Sequence, residues 1–222
     1  MKRKLELPQP PLPAGKHPQK DERKELPNAC VVHYKPGLYS DDEARNVFVE
    51  LQKLPWQKHK LRFSDGKLVD ESCFTHYEGD DQALTYAFTG SHRIPAPWTP
   101  CVLGVRAVVE KAWPHLPASY FNTCFLNRYP SGDTALGAHT DQDIKRYGRS
   151  TAMVSVSFGC ARDFQLWRTD GSQTLTYSLG DGAALLMSGF VQQFFKHAVP
   201  KSADAGERIS LTFRHHIGTK AP

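Results

Sequence analysis

Two histidines and one aspartate in the C-terminal half of the chain are of the types and spacing that could hold one metal ion. His139 and Asp141 lie two positions apart in the stretch GAHTDQD, and residues i and i+2 of an extended segment point to the same side. An H-x-D tripeptide is a weak signal that needs a third ligand, and His197 is the best one because it interrupts an apolar segment. Two imidazoles and one carboxylate with the other positions open are typical of ferrous oxygenases, and zinc is the chemical competitor.

The last β-rich segment alternates strictly between polar and apolar residues. Ile209, Leu211 and Phe213 take one face, whereas the other face carries Arg208, Ser210, Thr212 and Arg214. The pattern fits a surface strand with a wet polar face, and it equally fits a strand whose polar face lines a pocket. In the second case, two guanidinium groups could hold a dicarboxylate through forked hydrogen bonds.

Two helices are predicted ahead of these residues. Ser40 followed by Glu43 is a capping-box pattern, and the apolar positions after it recur at helical spacing up to Pro55. A second helix is predicted from about Pro100 to Lys111.

The rest of the pattern is dominated by short strands. After a first strand at residues 30–34, strands are predicted at 121–127, 152–158, 163–167, 175–179, 183–187 and 209–213, with Gly and Asp-Gly turns between several of them. Short strands at this spacing indicate a sandwich or jelly roll. The fold class is therefore α+β, with N-terminal helices followed by a β-rich core.

Composition limits what else the chain can be. Its 222 residues are 40% hydrophobic, which is enough for the core of one domain. Apolar runs fall short of a membrane span and no secretory signal is expected. The five scattered cysteines are read as reduced thiols of an intracellular protein. Residues 1–27 hold six of the 16 prolines and are predicted to be a disordered basic tail. The Lys2-Arg3-Lys4 run could be a nuclear address, and the net charge of +5 permits a polyanionic partner without requiring one.

The ordered motifs resemble the AlkB family of iron(II)/2-oxoglutarate dioxygenases. The resemblance is carried by His139-x-Asp141, by His197 and by Arg208-x-Ser210-x-Thr212-x-Arg214, and it extends over roughly residues 55–216. Further matches are the segments at 127–129, 155–159 and 162–164. The segments at 84–90 and 97–100 resemble the branch that contains the second vertebrate AlkB homologue, which dealkylates DNA.

The resemblance implies a fold and a set of site residues. The fold would be a double-stranded β-helix, or jelly roll, at about 120–216, with a nucleotide-recognition lid at about 55–100, within one domain from 28 to 222. His139, Asp141 and His197 would hold Fe(II), with 2-oxoglutarate as co-substrate and O2 as oxidant. The residues implied for the 2-oxoglutarate site are Asn127, Tyr129, Arg208, Ser210, Thr212 and Arg214. Among them, Arg208 with help from Tyr129 would bind the distal carboxylate.

The resemblance also implies how a substrate base would be held. Phe88 and His139 would sandwich a flipped base, Tyr86 and Thr89 lie in the same matching segment, and Asp143 stands where this branch has an acidic residue near the base. Aromatic stacking and a nearby carboxylate would suit a cationic methylated base.

A basic segment at residues 58–67 is predicted to form a hairpin, because Ser-Asp-Gly is a turn signal. The pattern itself favours Phe63 packed inward, whereas the resemblance to the duplex-repairing AlkB branch implies that Phe63 acts as a wedge that fills the gap left by a flipped base. Lys60 and Arg62 would then contact phosphates.

Three positions depart from the family pattern. Ser210 replaces the usual Asn, and Asp143 replaces a longer acid. The third departure is the segment 69–72, Val-Asp-Glu-Ser, which replaces a Pro-Arg pair and so removes a positive charge near the substrate groove.

The resemblance implies oxidative demethylation of N1-methyladenine and N3-methylcytosine in DNA, with release of formaldehyde and succinate. Alternatives are an RNA or single-strand demethylase of the same family, a non-catalytic nucleic-acid-binding module, and a hydroxylase of proteins. We expect a monomer in the nucleus that acts on duplex DNA with a flipped base and does not associate with membranes.

Overall fold

Two antiparallel β-sheets pack face to face in the computed structural model, which describes residues 20–62, 66–88, 91–141 and 143–218, and only the backbone at 62, 87, 88 and 91. The helices are α1 Asp41–Gln52, α2 Pro100–Ala112, α3 Ile144–Tyr147 and α4 Val191–Phe194. The strands are β1 Glu22–Leu26, β2 Cys30–Lys35, β3 Lys60–Arg62, β4 Leu68–Asp70, β5 Phe74–Gly79, β6 Tyr86–Phe88, β7 Ser91–Arg93, β8 Thr123–Tyr129, β9 Leu136–His139, β10 Met153–Gly159, β11 Arg162–Arg168, β12 Thr174–Leu179, β13 Ala183–Gly189, β14 Phe195–Val199 and β15 Arg208–Arg214.

The major sheet contains seven strands in the order β1-β2-β13-β10-β15-β8-β5, and the minor sheet contains four in the order β12-β11-β14-β9. From β8 to β15, successive strands alternate between the two sheets except at β11 and β12, which both lie in the minor sheet, as in a jelly roll. Two small hairpins, β3–β4 and β6–β7, lie outside both sheets. The predicted α+β class with a jelly-roll core is confirmed.

The alternation in β15 separates two hydrophobic clusters. Its apolar face, with Ile209, Leu211 and Phe213, packs against α1 and α2 in the first cluster. The second cluster lies between the two sheets. The polar residues of β15 therefore face the space between the sheets, although all of them are buried. Because that face lines a pocket, the surface-strand interpretation is wrong and the pocket interpretation is confirmed.

Both predicted helices form with their predicted starts. Ser40 and Glu43 make the capping box, with the Ser40 backbone N–H donating to the Glu43 carboxylate at 3.0 Å. Thr99 caps α2 and Pro100 occupies its first turn, where a missing N–H costs nothing. The two helices cover the outer face of the major sheet and leave its inner face free for the site.

The predicted tail boundary at residue 27 is wrong. Glu22–Leu26 forms β1, which pairs with β2 from Glu22 opposite Tyr34 to Leu26 opposite Cys30. The charged composition of β1 gave no strand signal, because an edge strand is held by backbone hydrogen bonds and gains from charges that discourage aggregation. Residues 1–19, with the Lys2-Arg3-Lys4 run, lie outside the described residues.

Every predicted strand is present, with ends shifted by one or two residues. The expectation that helices precede the β-rich core is only partly right, because β1 and β2 come before α1 and join the major sheet. The pattern missed β5, β9 and β14, and β9 and β14 carry metal-site residues. No helix in the described ranges is long and apolar enough to cross a membrane, and all five cysteines are unpaired.

Candidate active site

The minor sheet brings the three predicted metal ligands together. His139 ends β9 and His197 lies in β14, and the two residues are directly paired across the ladder. Asp141 follows β9 in a loop rather than on the strand, so the expected i, i+2 geometry is only approximate. Nε2 of His139 and Nε2 of His197 each lie 3.8 Å from a carboxylate oxygen of Asp141. One ligand atom from each of the three residues falls within 4.8 Å of the others.

Both imidazoles are in a form that can bind a metal ion. Nδ1 of His139 lies 2.8 Å from the Gly137 carbonyl oxygen; donation to that oxygen leaves Nε2 as the free lone pair. His197 stacks on Phe164 at a ring-centroid distance of 5.2 Å. Burial, with a smaller contribution from His139, lowers the pKa of His197 to about 3. His197 is therefore neutral at physiological pH and needs no deprotonation to bind a cation.

Arg214 pairs with the carboxylate ligand from the major sheet. Its Nη2 donates to Oδ2 of Asp141 at 2.7 Å, and both side chains are buried. Burial alone would raise the pKa of Asp141, but Arg214, His197 and His139 together hold it below its usual range. The carboxylate is thus ionised and oriented before any ion binds, as a ligand to a divalent cation must be.

Gln192 is a residue that sequence reasoning missed. It is buried on α4, and its Oε1 accepts the backbone N–H of Asp141 at 2.9 Å. Since α4 leads directly into β14, this hydrogen bond connects the loop that carries Asp141 to the strand that carries His197. A glutamine in an apolar turn is a weak signal, and only the pairing of distant segments reveals its role.

We expect Gln192→Met to weaken binding of Mn(II), a stand-in for Fe(II), by about tenfold, because residues that orient metal ligands typically contribute at least that much affinity. Electron paramagnetic resonance titration of the ligand-free protein measures this directly. Gln193→Met is the matched control, since Gln193 on the same helix turns outward and donates to the Arg149 carbonyl at 2.7 Å. Equal affinities for Gln192→Met and wild type would show that the hydrogen bond does not orient Asp141.

Arg208 lies at the inner end of the site as a buried cation without a carboxylate. Its Nε donates to the Ser157 hydroxyl at 2.7 Å, and its Cζ lies 5.0 Å from the centre of the Tyr129 ring. Nη1 has no hydrogen-bond partner among the described residues. Burial lowers the pKa of Arg208, although arginine stays protonated in proteins. Burying a guanidinium with a free N–H costs free energy, and an anion bound at Nη1 would offset that cost.

A second buried guanidinium, that of Arg162, was also missed as a site residue. It packs 5.7 Å from the centre of the Tyr129 ring, with Arg208 against the same ring. Its Nη groups donate to four backbone carbonyls, with distances of 2.5 Å to Pro200 and 2.8 Å to Thr134 among them. These carbonyls lie just before β9 and just after β14. Arg162 therefore fastens the start of β9 to the end of β14, the two strands that carry the histidine ligands.

A single pocket connects the metal ligands with the inner face of the major sheet. It has an empty volume of about 780 Å³, part of which is open to solvent. Of the residues predicted to bind 2-oxoglutarate, those that line it are Asn127, Tyr129, Ser210, Thr212 and Arg214. Arg208 lies behind Tyr129 and is not part of the lining surface.

The residues present fit an iron ion and a dicarboxylate co-substrate. The donor set of two imidazoles and one ionised carboxylate suits Fe(II). The unpartnered Nη1 of Arg208 and the hydroxyls of Tyr129 and Ser210 supply the donors that a carboxylate at the inner end would accept from.

Of the residues predicted to hold the substrate base, Tyr86 lines the pocket and Asp143 does not. Tyr86 lines the pocket and packs on Phe125 at 4.5 Å between ring centroids. Asp143 caps α3 by accepting the backbone N–H groups of Lys145 and Arg146, and it pairs with the Arg146 side chain. Asp143 does not line the pocket, so its expected contact with the base stays a prediction.

The two strands of the hairpin predicted at residues 58–67 are present. β3 pairs with β4, with Lys60 opposite Asp70, and Lys60 is exposed. Phe63 and Thr89 lie outside the described residues, and for Arg62 and Phe88 the backbone alone is described. Their expected contacts with nucleic acid stay predictions.

The sequence of this chain is similar to a well-populated group of enzymes. Residues 31–214 match the 2OG-Fe(II) oxygenase superfamily. The DNA oxidative demethylase ALKBH2 of Arabidopsis thaliana is 34% identical over 189 residues, which are 72% of this chain and 58% of that protein. The alpha-ketoglutarate-dependent dioxygenase alkB homolog 3 of Bos taurus is 29% identical over 191 residues, 81% of this chain and 64% of that protein. The chain thus spans less than two thirds of the length of either relative.

The fold is also similar to solved structures. The structure of OsALKBH1 superimposes with a TM-score of 0.61 at 19% identity, covering 88% of this chain and 100% of that one. At this identity the likeness concerns the fold alone.

Proposed function

Because this chain belongs to the 2OG-Fe(II) oxygenase superfamily, we propose that it removes N-alkyl groups from DNA bases by oxidation. It is an Fe(II)- and 2-oxoglutarate-dependent dioxygenase that uses O2, and the resemblance to the AlkB family is confirmed by relatives named for that family. The nature of the substrate is the proposed part. N1-methyladenine and N3-methylcytosine in DNA are the lesions we propose.

The continuity of one pocket from the ligand triad to aromatic side chains supports this substrate class. Leu61, Tyr86 and Phe125 line the same pocket as the metal ligands and the polar face of β15. A base that has left the stack is a flat, partly apolar ring, and such pockets bind it by stacking. The name of the Arabidopsis relative, a DNA oxidative demethylase, agrees with this use.

When bound, iron with 2-oxoglutarate and O2 supplies the oxidant that hydroxylates the N-alkyl carbon and leaves succinate and CO2. The resulting N–CH2OH group then loses formaldehyde as its C–N bond breaks, and the base nitrogen is restored. His139, Asp141 and His197 would hold the ion. Arg208 with Tyr129 would bind the distal carboxylate of 2-oxoglutarate and so fix its orientation.

The walls of the pocket keep the reacting groups in place. Arg214 holds Asp141 through the 2.7 Å contact, so the carboxylate cannot rotate away from the ion. Phe164 and Val199 of the minor sheet line the pocket beside His197, and these apolar groups limit the access of water to the oxidation step.

The direct test is turnover of defined oligonucleotides that carry one methylated base. We expect Fe(II)- and 2-oxoglutarate-dependent loss of the methyl group by mass spectrometry, with one formaldehyde and one succinate for each base restored. Succinate formation without any base repair would contradict a nucleic-acid substrate and favour a hydroxylase of proteins. Absence of both products would favour the non-catalytic binding module.

The same assay separates duplex DNA from single-stranded DNA and RNA, the alternative substrates of this family. We expect Phe63→Ala to reduce repair of methylated duplex DNA at least about tenfold more than repair of a single strand, because a wedge that fills the vacated stack offsets unstacking of a few kcal/mol. Relative kcat/KM values on the two substrates measure this.

Lys60→Ala is the matched control for the Phe63 variant, since Lys60 lies on the same hairpin and is exposed. It is expected to weaken both substrates alike and to lower the salt dependence of binding by about one unit. Equal losses on duplex and single strand for Phe63→Ala would mean that Phe63 is a packing residue, and they would favour the single-strand or RNA substrate. A nuclear location and a monomeric state stay predictions from the sequence.

A further inference from the structure

We propose that Glu71 is the residue that makes the pocket prefer positively charged bases over neutral ones. This inference rests on the proposed function and names a specificity determinant within it. Glu71 belongs to the segment Val69-Asp70-Glu71-Ser72, which follows β4 and precedes β5.

Glu71 presents a carboxylate to the pocket on the side of Thr75. Its side chain lines the pocket and is only 11% exposed. Oε2 accepts hydrogen bonds from the Thr75 hydroxyl at 3.2 Å and from the backbone N–H of His59 at 3.3 Å, and Oε1 accepts one from Arg93 at 2.7 Å. All three partners are donors, so the group acts as an acceptor only. A carboxylate has about four acceptor sites, and a position on Oε1 is left for a group in the pocket.

Arg93, the cation that pairs with Glu71, lies on the side of Glu71 that faces away from the pocket. Arg93 lines a neighbouring depression with His59 and His76, and it does not line the main pocket. A base in the main pocket therefore meets the negative end of the Glu71–Arg93 pair first. Because Coulomb energy falls with distance, the nearer carboxylate outweighs the farther guanidinium.

The register of the major sheet places Glu71 at the end of the pocket that the co-substrate does not use. Ser210 of β15 pairs with Asn127 of β8, which pairs with Thr75 of β5. Neighbouring strands are about 4.8 Å apart, so Thr75 lies roughly 10 Å from Ser210 across the sheet. Glu71 is bonded to Thr75 and lies beyond the residues that would contact 2-oxoglutarate.

Other acidic groups near the pocket are already engaged elsewhere. Asp141 is the metal ligand paired with Arg214, and Asp143 caps α3 outside the pocket. Among the described residues that line the pocket, the only carboxylates are those of Glu71 and Asp141. Glu71 is thus the acid available to a base.

Methylated bases differ in charge, and a carboxylate can distinguish them by that difference. N1-methyladenine and N3-methylcytosine carry a positive charge at neutral pH, whereas N1-methylguanine and N3-methylthymine are neutral. Each cation has a neutral counterpart with the methyl group at the same ring position. Within a pair the cation also carries an exocyclic amino donor where the neutral base has a carbonyl acceptor, so charge and hydrogen bonding both favour the cation beside a carboxylate. An opposite charge within about 4–6 Å stabilises a cation by a factor of at least about ten.

The experiment compares kcat/KM for the four bases in single-stranded oligonucleotides, which removes base pairing as a variable. We expect Glu71→Gln, which keeps the shape of the side chain, to lower the cationic-to-neutral ratio about tenfold in both pairs. Glu71→Asp should retain most of the ratio. Asp70→Asn is the matched control, because it makes the same charge change one residue away at an exposed position, and it should leave the ratio as in wild type.

Several outcomes would overturn the inference. An unchanged ratio in Glu71→Gln, with wild type active, removes Glu71 from this role and leaves the proposed function intact. A ratio that falls in Asp143→Asn instead assigns the role to Asp143. Lack of turnover of all four bases by wild type overturns the proposed function and this inference with it.

A second variant covers the case in which Glu71→Gln does not fold because Arg93 loses its partner. Glu71→Gln combined with Arg93→Gln removes both charges together, so no buried ion is left alone. We expect the same fall in the cationic-to-neutral ratio from this double variant. A wild-type ratio in the folded double variant would equally remove Glu71 from the role.

Discussion

Alanine at His139, Asp141 or His197 is expected to reduce oxidation to the level of the metal-free protein. Each substitution removes one of three ligands to an ion that has no other anchor in the described part of the chain. Formaldehyde release and succinate formation measure the loss of turnover, and Mn(II) titration measures the loss of binding. Any single variant with turnover near that of wild type would contradict the assignment of that ligand.

The three variants should differ in the stability of the metal-free protein. Asp141→Ala leaves Arg214 buried without its carboxylate, and breaking a buried ion pair from one side typically costs about 3–5 kcal/mol. His139→Ala and His197→Ala leave no charge unpaired. Thermal unfolding without metal should therefore show the largest decrease for Asp141→Ala, with a smaller one for His197→Ala from the lost packing on Phe164. Asp133→Asn, at an exposed position in the loop before β9, is the control and should match wild type in every measurement.

Arg208→Met is expected to raise the 2-oxoglutarate concentration required for half-maximal turnover by about thirtyfold or more. The substitution would leave the distal carboxylate of 2-oxoglutarate without its buried cation, and losing one partner of a buried charge pair costs roughly 2–5 kcal/mol. In the ligand-free protein Nη1 of Arg208 has no partner among the described residues, so it is available to that carboxylate. The KM for the nucleic acid should change little, because Arg208 lies at the inner end of the site.

Stability measurements separate this role from a structural one. Arg208 and Arg162 lie against the same tyrosine ring without a carboxylate between them, so Arg208→Met should not destabilise the ligand-free protein. The increase in unfolding temperature on addition of 2-oxoglutarate should disappear. Arg128→Met is the matched control, since the Arg128 guanidinium pairs with Glu207 at 2.6 Å outside the pocket. An unchanged 2-oxoglutarate requirement in Arg208→Met would remove Arg208 from this role.

The sequence was informative where a residue's type conflicted with its surroundings. His197 is a polar residue in an apolar strand, and Arg208 and Arg214 are charges at the ends of a strictly alternating segment. Such conflicts are expected at functional sites, because a buried polar group is retained only when something compensates for its burial. These residues, the capping box at Ser40 and the jelly-roll class were all predictable from local pattern.

Sequence reasoning was less successful where long-range pairing decides the outcome. Glu22–Leu26 reads as part of a charged tail and becomes a strand only because β2 offers an edge to pair with. For Asp143 the competing contact is local: its carboxylate accepts the backbone N–H groups of Lys145 and Arg146 at the start of α3, and its contact with the base stays a prediction. Helix capping satisfies donors that would otherwise lack a partner, and it competes directly with a role in binding.

The sequence by itself therefore determined the candidate metal ligands, the alternation of β15, the helices and the family resemblance, because each follows from residue type and from the order of short motifs along the chain. Only the tertiary structure decided that Gln192 holds Asp141, that Arg162 fastens β9 to β14, and that Glu71 faces the pocket with Arg93 behind it. These contacts join segments from 22 to 51 residues apart. No local pattern encodes them, since hydrogen bonds and Coulomb interactions depend on distances that are fixed only when the two sheets close on each other.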